Sequence, residues 1–358
     1  MYKKELQAIK KASRYRKREI FDEDLKDFAS NDYLGLSENK ELFKRAYKRV
    51  IEYKYHSPKA SMLVNGYHPI HQEFEKFLSE LCGFEESLVV GSGYLANIAL
   101  IESMVRRGDI LVLDSEFHAS GVMASKLVQG RVFYFNHNDE KDLEKLLSKE
   151  NYKRAIICVE GVYSMDGDLV NPKIFEVADR FKALLIVDEA HSSGVVGDNL
   201  LGVFDLYNIS PKKNHIKMAT LGKAVGSYGA YIQSSNEIIE YLLNRAKSII
   251  YSTAPSVFDI ALAYEGYNYI QENRKSFLEK KEEVFELVEK KFGFKPDSLI
   301  LKLEYGDNKK VLELKELALK KGFLIGAIRP PTVKKAIVRV ILRLCHKKED
   351  FEKLFSIF

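Results

Sequence analysis

The chain has only three cysteines, Cys82, Cys158 and Cys345. They lie far apart and make neither a CxxC pair nor a metal-ligand spacing, which excludes a disulfide framework and a thiolate metal site. So sparse and odd a set suits a reducing compartment, and a cytoplasmic location is expected. Long apolar runs are missing as well. No stretch approaches the roughly 18 uninterrupted apolar residues of a membrane span. The opening Met-Tyr-Lys-Lys-Glu-Leu lacks the apolar centre of a signal peptide. Charge of one sign is scarce: 56 basic residues face 51 acidic ones, a net charge of +5. The one local excess, Lys10-Lys11-Ala12-Ser13-Arg14-Tyr15-Arg16-Lys17-Arg18, is either a solvated helix face or an anion-binding arm. No recognisable nucleic-acid module accompanies it, so neither nucleic acid nor a membrane is expected as a partner. Internal repeats, low-complexity tracts and long linkers are absent too.

What is present fits a soluble globular chain. Hydrophobic residues make up 46% and charged residues 30% of 358, enough length for two or three packed units. Short apolar runs at 110–113, 132–135, 155–159, 184–187, 216–221 and 230–233 read as buried strands. Helical stretches such as 141–149 and 173–181 lie between them. That alternation predicts an α/β fold with a mostly parallel sheet under helices. Ligands of such sheets collect at the carboxyl ends of the strands. From about residue 256 the character changes. A charged helical stretch runs to about 291, followed by strands at 299–304, 323–328 and 338–344, a helix at 311–321 and a final helix. The expected division is an N-terminal arm over 1–40, a large domain over 41–255 and a small α+β domain over 256–358.

The richest segment is Leu184-Leu185-Ile186-Val187-Asp188-Glu189-Ala190-His191, an apolar strand ending in a carboxylate. A helicase metal strand has this form, but it requires an earlier GxxxxGK[ST] phosphate loop. The pair Gly222-Lys223 comes after the acidic motif and is followed by Ala224, so that reading fails. A pyridoxal 5'-phosphate site fits better. The cofactor is an electron sink only while its ring nitrogen stays protonated, which needs a buried carboxylate such as Asp188. It also needs a lysine that is uncharged near neutral pH. Lys223, in Thr220-Leu221-Gly222-Lys223-Ala224-Val225-Gly226, follows a strand among apolar residues and glycines, where desolvation lowers a lysine's pKa. Alone such a lysine would sooner be a surface residue; paired with Asp188 it becomes a cofactor anchor.

A phosphate needs backbone N–H donors at a helix N-terminus. Gly91-Ser92-Gly93-Tyr94, after the apolar Leu88-Val89-Val90, opens a predicted helix and offers them, although it also reads as an ordinary glycine turn. Thr220 adds a hydroxyl. His118, after the strand at 110–113, either stacks on a cofactor ring or is structural. His56, His137, His215 and His346 are read as structural.

In order along nearly the whole chain, further motifs resemble one family. They are Ser30-Asn31-Asp32-Tyr33-Leu34-Gly35-Leu36, Asn65-Gly66-Tyr67-His68-Pro69, His118-Ala119-Ser120, Asn136-His137-Asn138-Asp139 and Glu160-Gly161-Val162-Tyr163-Ser164-Met165-Asp166-Gly167-Asp168, with Tyr251-Ser252-Thr253-Ala254 after Lys223. The chain is similar to the α-oxoamine synthases, fold-type I pyridoxal-phosphate transferases. These acylate an amino acid with an acyl thioester and then release carbon dioxide. The resemblance implies that Lys223 forms the imine with the cofactor and later moves the substrate Cα proton. Asp188 would hold the ring nitrogen, His118 would stack on the ring, and His191 and Ser164 would approach its phenolic oxygen. Gly93, Tyr94 and Thr220 would meet the phosphate, with Ser252 and Thr253 reaching the phosphate of a neighbouring subunit in a homodimer. Arg329 would pair with the amino acid's carboxylate, and Thr332 would touch substrate. An N-terminal arginine of the family is matched by Arg14, with Arg16 and Arg18 as rivals.

The tail Ala327-Ile328-Arg329-Pro330-Pro331-Thr332-Val333 resembles the member that condenses L-alanine with a pimeloyl thioester, carried by coenzyme A or an acyl carrier protein. Alternatives are a glycine acetyltransferase of the same family or an aminotransferase of related fold. Two departures stand out. Ser57-Pro58-Lys59-Ala60-Ser61 replaces a loop richer in glycine and serine. Glu189 replaces the usual Asp, a change expected to face solvent.

Overall fold

The structure is a computed structural model that describes residues 1–11 and 15–358. In chain order the strands are β1 (Lys26–Phe28), β2 (Glu86–Val90), β3 (Ile110–Asp114), β4 (Arg131–Phe135), β5 (Ala155–Glu160), β6 (Leu184–Asp188), β7 (His215–Thr220), β8 (Ala230–Ser234), β9 (Ile300–Glu304), β10 (Phe323–Ile328) and β11 (Ile337–Ile341). The α/β sheet implied by the apolar runs is present.

Seven strands form the main sheet in the order β2-β8-β7-β6-β5-β3-β4. Only β8 runs against its neighbours. Helices cover both faces, so the central strands read as unbroken apolar runs rather than alternating ones. Every residue of β5, Ala-Ile-Ile-Cys-Val-Glu, is buried, which places Cys158 in the core. This topology sends the carboxyl ends of β2, β3, β5, β6 and β7 to one edge. Asp114, Glu160, Asp188 and Thr220 end four of those strands there, and Glu160 lies opposite Asp188 in the ladder. The helix Gly93–Met104 starts at the same edge, directly after β2.

A second sheet has the order β1-β10-β11-β9, with β1 parallel to β10 and the remaining pairs antiparallel. β1 is too short to show a period, and the sequence pattern gave no sign of it. It ties the N-terminal segment into the C-terminal sheet. The charged stretch after residue 256 is two helices, Val257–Glu272 and Arg274–Phe292. At the junction Asn273 donates both its backbone N–H (3.0 Å) and its side-chain amide (2.9 Å) to the Tyr269 carbonyl, which ends the first helix. Among the described residues no helix is long and apolar enough to cross a membrane.

Candidate active site

At the carboxyl edge of the main sheet, side chains from distant parts of the sequence converge. Lys223 sits just past β7. Its Nζ lies 2.7 Å from Nε2 of His191, and Nδ1 of His191 lies 2.6 Å from the Tyr33 hydroxyl. Burial of its amine outweighs the pull of Asp188 and Glu160 and lowers the Lys223 pKa to about 8. About a tenth is therefore the free amine at pH 7, far more than for an ordinary lysine, and this is the form that attacks a carbonyl. His191 is buried beside Lys223, Arg339 and His118, and burial followed by those cations holds it neutral.

Asp188 ends β6. Its carboxylate accepts the Asn97 side-chain amide at 2.8 Å and the Ala190 N–H at 3.0 Å. Asn97 also donates to Ser120 Oγ at 2.8 Å, and Ser120 Oγ lies 2.8 Å from His118 Nδ1. His118 caps the helix Ala119–Ala124 by accepting from the Ser120 N–H. Although the residue keeps an exposed side, partial desolvation lowers its pKa; the Asp188 charge opposes this and that of Lys223 adds to it. Glu160, opposite Asp188, accepts the Ser164 N–H at 3.1 Å. Burial, then the charge of Asp188, raises its pKa well above that of an ordinary carboxyl group. One Glu160 oxygen has no hydrogen-bond partner.

Gly93 begins its helix where a methyl group would meet Thr220 Cγ2 at 2.6 Å. Only a residue without Cβ lets the free N–H groups of that helix end approach Thr220 so closely. Such a helix end, with a hydroxyl-bearing side chain beside it, can receive a phosphate. Tyr94 is largely exposed beside it.

The other residues singled out in the sequence stand apart from this wiring. Ser164 is buried, but its bonds to Glu160 and Arg339 use its backbone. Ser252 and Thr253 lie at an open surface next to the exposed Tyr251. The Ser57–Ser61 loop docks on that segment: Ser61 Oγ donates to the Ile250 carbonyl at 2.8 Å, and the Ala254 N–H donates to the Ala60 carbonyl at 3.0 Å. Arg329 follows β10, half-buried, with no side-chain hydrogen bond or ion pair among the described residues. Thr332 is exposed, and its N–H donates to the Arg329 carbonyl at 3.1 Å. Arg14 lies outside the described residues. Arg16 and Arg18 are exposed.

One expectation is corrected. Glu189 is completely buried rather than facing solvent. Its carboxylate accepts Ser192 Oγ at 2.5 Å and the Val203 N–H at 2.8 Å, and it lies in the field of the buried Lys217. Gly202 packs against it so closely that a methyl group would meet Oε2 at 1.8 Å. Alternate residues of a strand end point to opposite faces, so Asp188 enters the site while Glu189 turns into the core behind it.

Four participants escaped the sequence reading: Tyr33, Asn97, Glu160 and Arg339. Tyr33 and Glu160 lie inside motifs read for other residues, and Asn97 lies on the helix that the Gly91–Tyr94 turn opens. Arg339 had its own signal, a lone charge in the apolar run Ile337-Val338-Arg339-Val340-Ile341. It is buried, donates to the Ser164 carbonyl at 2.7 Å and to Asn31 Oδ1 at 3.1 Å, and faces Tyr33. The histidines read as structural are spent elsewhere. His137 bridges Asp114 and Asp168 at 2.9 Å each, and His346 reaches the Asp27 carbonyl at 2.7 Å. A groove of about 1260 Å³ along β2, lined by Tyr67, Glu75, Phe84 and Leu243 among others, contains none of the converging side chains.

The family model described as aminotransferase class I and II matches residues 23–358. An 8-amino-7-oxononanoate synthase from Helicobacter pylori is 44% identical over 99% of this chain and 95% of its own length. A putative 8-amino-7-oxononanoate synthase from Aquifex aeolicus is 38% identical over 98% of this chain and 95% of its own. Among solved structures, an 8-amino-7-oxononanoate synthase from Francisella tularensis superposes with a TM-score of 0.77 at 26% identity, covering 94% of this chain and 97% of that one. A serine palmitoyltransferase from S. paucimobilis, solved with a bound PLP–myriocin aldimine, superposes with a TM-score of 0.87. At 22% identity over 99% of this chain and 95% of that one, it supports the fold alone.

Proposed function

The chain belongs to the aminotransferase class I and II family, and on that footing we propose that it is a pyridoxal-5'-phosphate-dependent acyltransferase that condenses L-alanine with a pimeloyl thioester to give 8-amino-7-oxononanoate, a step of biotin biosynthesis. The observation that carries this reading is the meeting of Lys223 and Asp188 at one strand edge beside the Gly93 cradle, in a chain 44% identical to a synthase of that name.

The residues fit the cofactor. A low-pKa amine, a buried carboxylate with an amide at its side, and a helix N-terminus opened by glycine are the three things it requires. When bound, the group supplies an electron sink for the carbanion formed at the amino acid's Cα. The chain does the rest. Lys223 holds the cofactor and then moves the Cα proton. Asp188, oriented by Asn97, keeps the ring nitrogen protonated. His118 would stack on the ring from the exposed side, and His191 and Ser164 would approach its phenolic oxygen. Gly93, Tyr94 and Thr220 receive the phosphate. Thr253, exposed on this chain, and the half-buried Ser252 would reach the phosphate of a second copy in a homodimer.

Arg329 is the carboxylate anchor suggested by the tail segment, with Thr332 beside it. Arg339 is a second candidate, favoured by its burial and by its place among Tyr33, Ser164 and Asn31. Its planar fork suits a carboxylate. An acyl carrier protein in place of coenzyme A remains part of the proposal, as do a cytoplasmic location and contact of Arg14 with substrate.

The test is thiol release from pimeloyl thioester with L-alanine, glycine and L-serine supplied in turn. Alanine alone should support turnover. Turnover with glycine and an acetyl thioester instead would move the assignment to a glycine acetyltransferase.

A further inference from the structure

We propose that Tyr33 is a positioning residue that fixes His191 in the tautomer bearing its proton on Nε2, aimed at the Lys223 nitrogen. The proposal deepens the reading above, since it rests on Lys223 being the cofactor lysine.

The argument is an accounting of donors and acceptors. Tyr33 is fully buried, and its hydroxyl lies 2.6 Å from His191 Nδ1. Of its other polar neighbours, the Arg339 guanidinium has donors and no acceptor, and the Glu160 carboxyl acts on it through charge alone, without a hydrogen bond. Among the described residues no other side chain or carbonyl accepts from this hydroxyl. The phenolic hydrogen therefore has one destination, the Nδ1 lone pair. The reverse assignment, with His191 donating to Tyr33, leaves a buried O–H with no acceptor, which folded proteins avoid.

Once Nδ1 accepts, a neutral imidazole must carry its hydrogen on Nε2, and Nε2 is the atom 2.7 Å from Lys223 Nζ. The groups facing His191 favour the neutral ring: Lys223 after β7, Arg339 on β11 and His118 after β3 all add positive charge or burial. The bonds then run in one direction, from Arg339 through Tyr33 and His191 to Lys223. The lysine sits at the receiving end, where an amine with a free pair is favoured over an ammonium. The backbone reinforces this placement. The Leu344 N–H, just beyond β11, donates to the Tyr33 carbonyl at 2.8 Å, so the second sheet holds the tyrosine against the first.

Two measurements on the full chain test the proposal. The first is ¹⁵N–¹H correlation of histidine-labelled holoenzyme, with the His191 signal assigned by its loss in His191→Gln. The wild type should show a single Nε2–H tautomer, and Tyr33→Phe should show a mixture. The second is the pH dependence of pyridoxal-phosphate recapture after the cofactor is stripped, trapped with borohydride. In Tyr33→Phe its midpoint should move upward by roughly one pH unit, because a flipped His191 would turn its lone pair toward Lys223 and favour the ammonium. An Nδ1–H tautomer in the wild type overturns the proposal, and that result does not depend on Tyr33→Phe folding. So does a Tyr33→Phe protein whose tautomer and midpoint match the wild type. If the wild type forms no trapped adduct at all, the cofactor reading itself fails, which is a separate outcome.

Discussion

Two regions meet at the carboxyl edge of the main sheet, and they are built in opposite ways. Around Lys223 the polar side chains are partnered within the chain, apart from one oxygen each of Glu160 and Asn97: Tyr33, His191, Asp188, Asn97 and Arg339 are buried and hydrogen-bonded. Around Arg329, Thr332, Ser252 and Thr253 the side chains are half-buried or exposed and lack such partners. The first region pre-forms the environment that sets the charge of one amine, which must exist before any ligand arrives. The second is left for a ligand or a second copy of the chain to complete. Burial makes electrostatics strong and mutations costly; exposure makes both weak.

The contrast is broken most severely at Lys223. Lys223→Ala should abolish the borohydride-trapped adduct and lower turnover at least about 10⁴-fold, the upper range for a lost acid–base group. A variant that kept the adduct would remove Lys223 from the cofactor role. Next come the two arginines, which set the regions directly against each other. Arg339→Ala should cut kcat/KM by about 2 kcal/mol or more, as for truncating one member of a buried charged network. Arg329→Ala should cost about tenfold, felt in KM for the amino acid, as expected of a half-buried contact without partners in the chain. The reverse order, read from steady-state kinetics with alanine varied, would make Arg329 the anchor.

The smallest effect concerns a buried bridge that supports the site without touching it. His137, between Asp114 and Asp168, has its pKa raised to about 10: burial opposes this, but the hydrogen bonds and charges of the two carboxylates prevail. A folded-state pKa above the ordinary value means stabilisation that is complete below about pH 6.5 and fades as pH climbs toward 10. The melting-temperature gap between wild type and His137→Gln should thus be widest near pH 6.5 and narrow by pH 10. A gap independent of pH would show that packing against Tyr163, whose ring stands 4.3 Å away centroid to centroid, is what matters.

Much of this was legible beforehand because the period of a buried parallel strand is simple. The runs at 155–159, 184–187 and 230–233 each fall within one residue of an observed strand boundary at both ends. Lys223, Asp188 and Gly93 could be found because each follows such a strand, and strand ends are where ligands gather. β1 was not legible, since three residues have no period to read. Glu189 was misread because adjacency in sequence to Asp188 says nothing about which face of the strand end it takes.

The sequence by itself determined which residue types were available and on which strands they sat, and with them the fold class and the cofactor chemistry. Only the tertiary structure decided which of those residues touch. Tyr33 and His191 are 158 positions apart and share a bond of 2.6 Å. Arg339 comes from the second sheet to donate to the carbonyl of Ser164, in the turn after β5 of the first. Such contacts are set by how sheets stack and where loops return, which depends on the packing of the whole core. Lys223 shows both sides: its place after a strand was written in the chain, while its lowered pKa comes from neighbours that only folding brings to it.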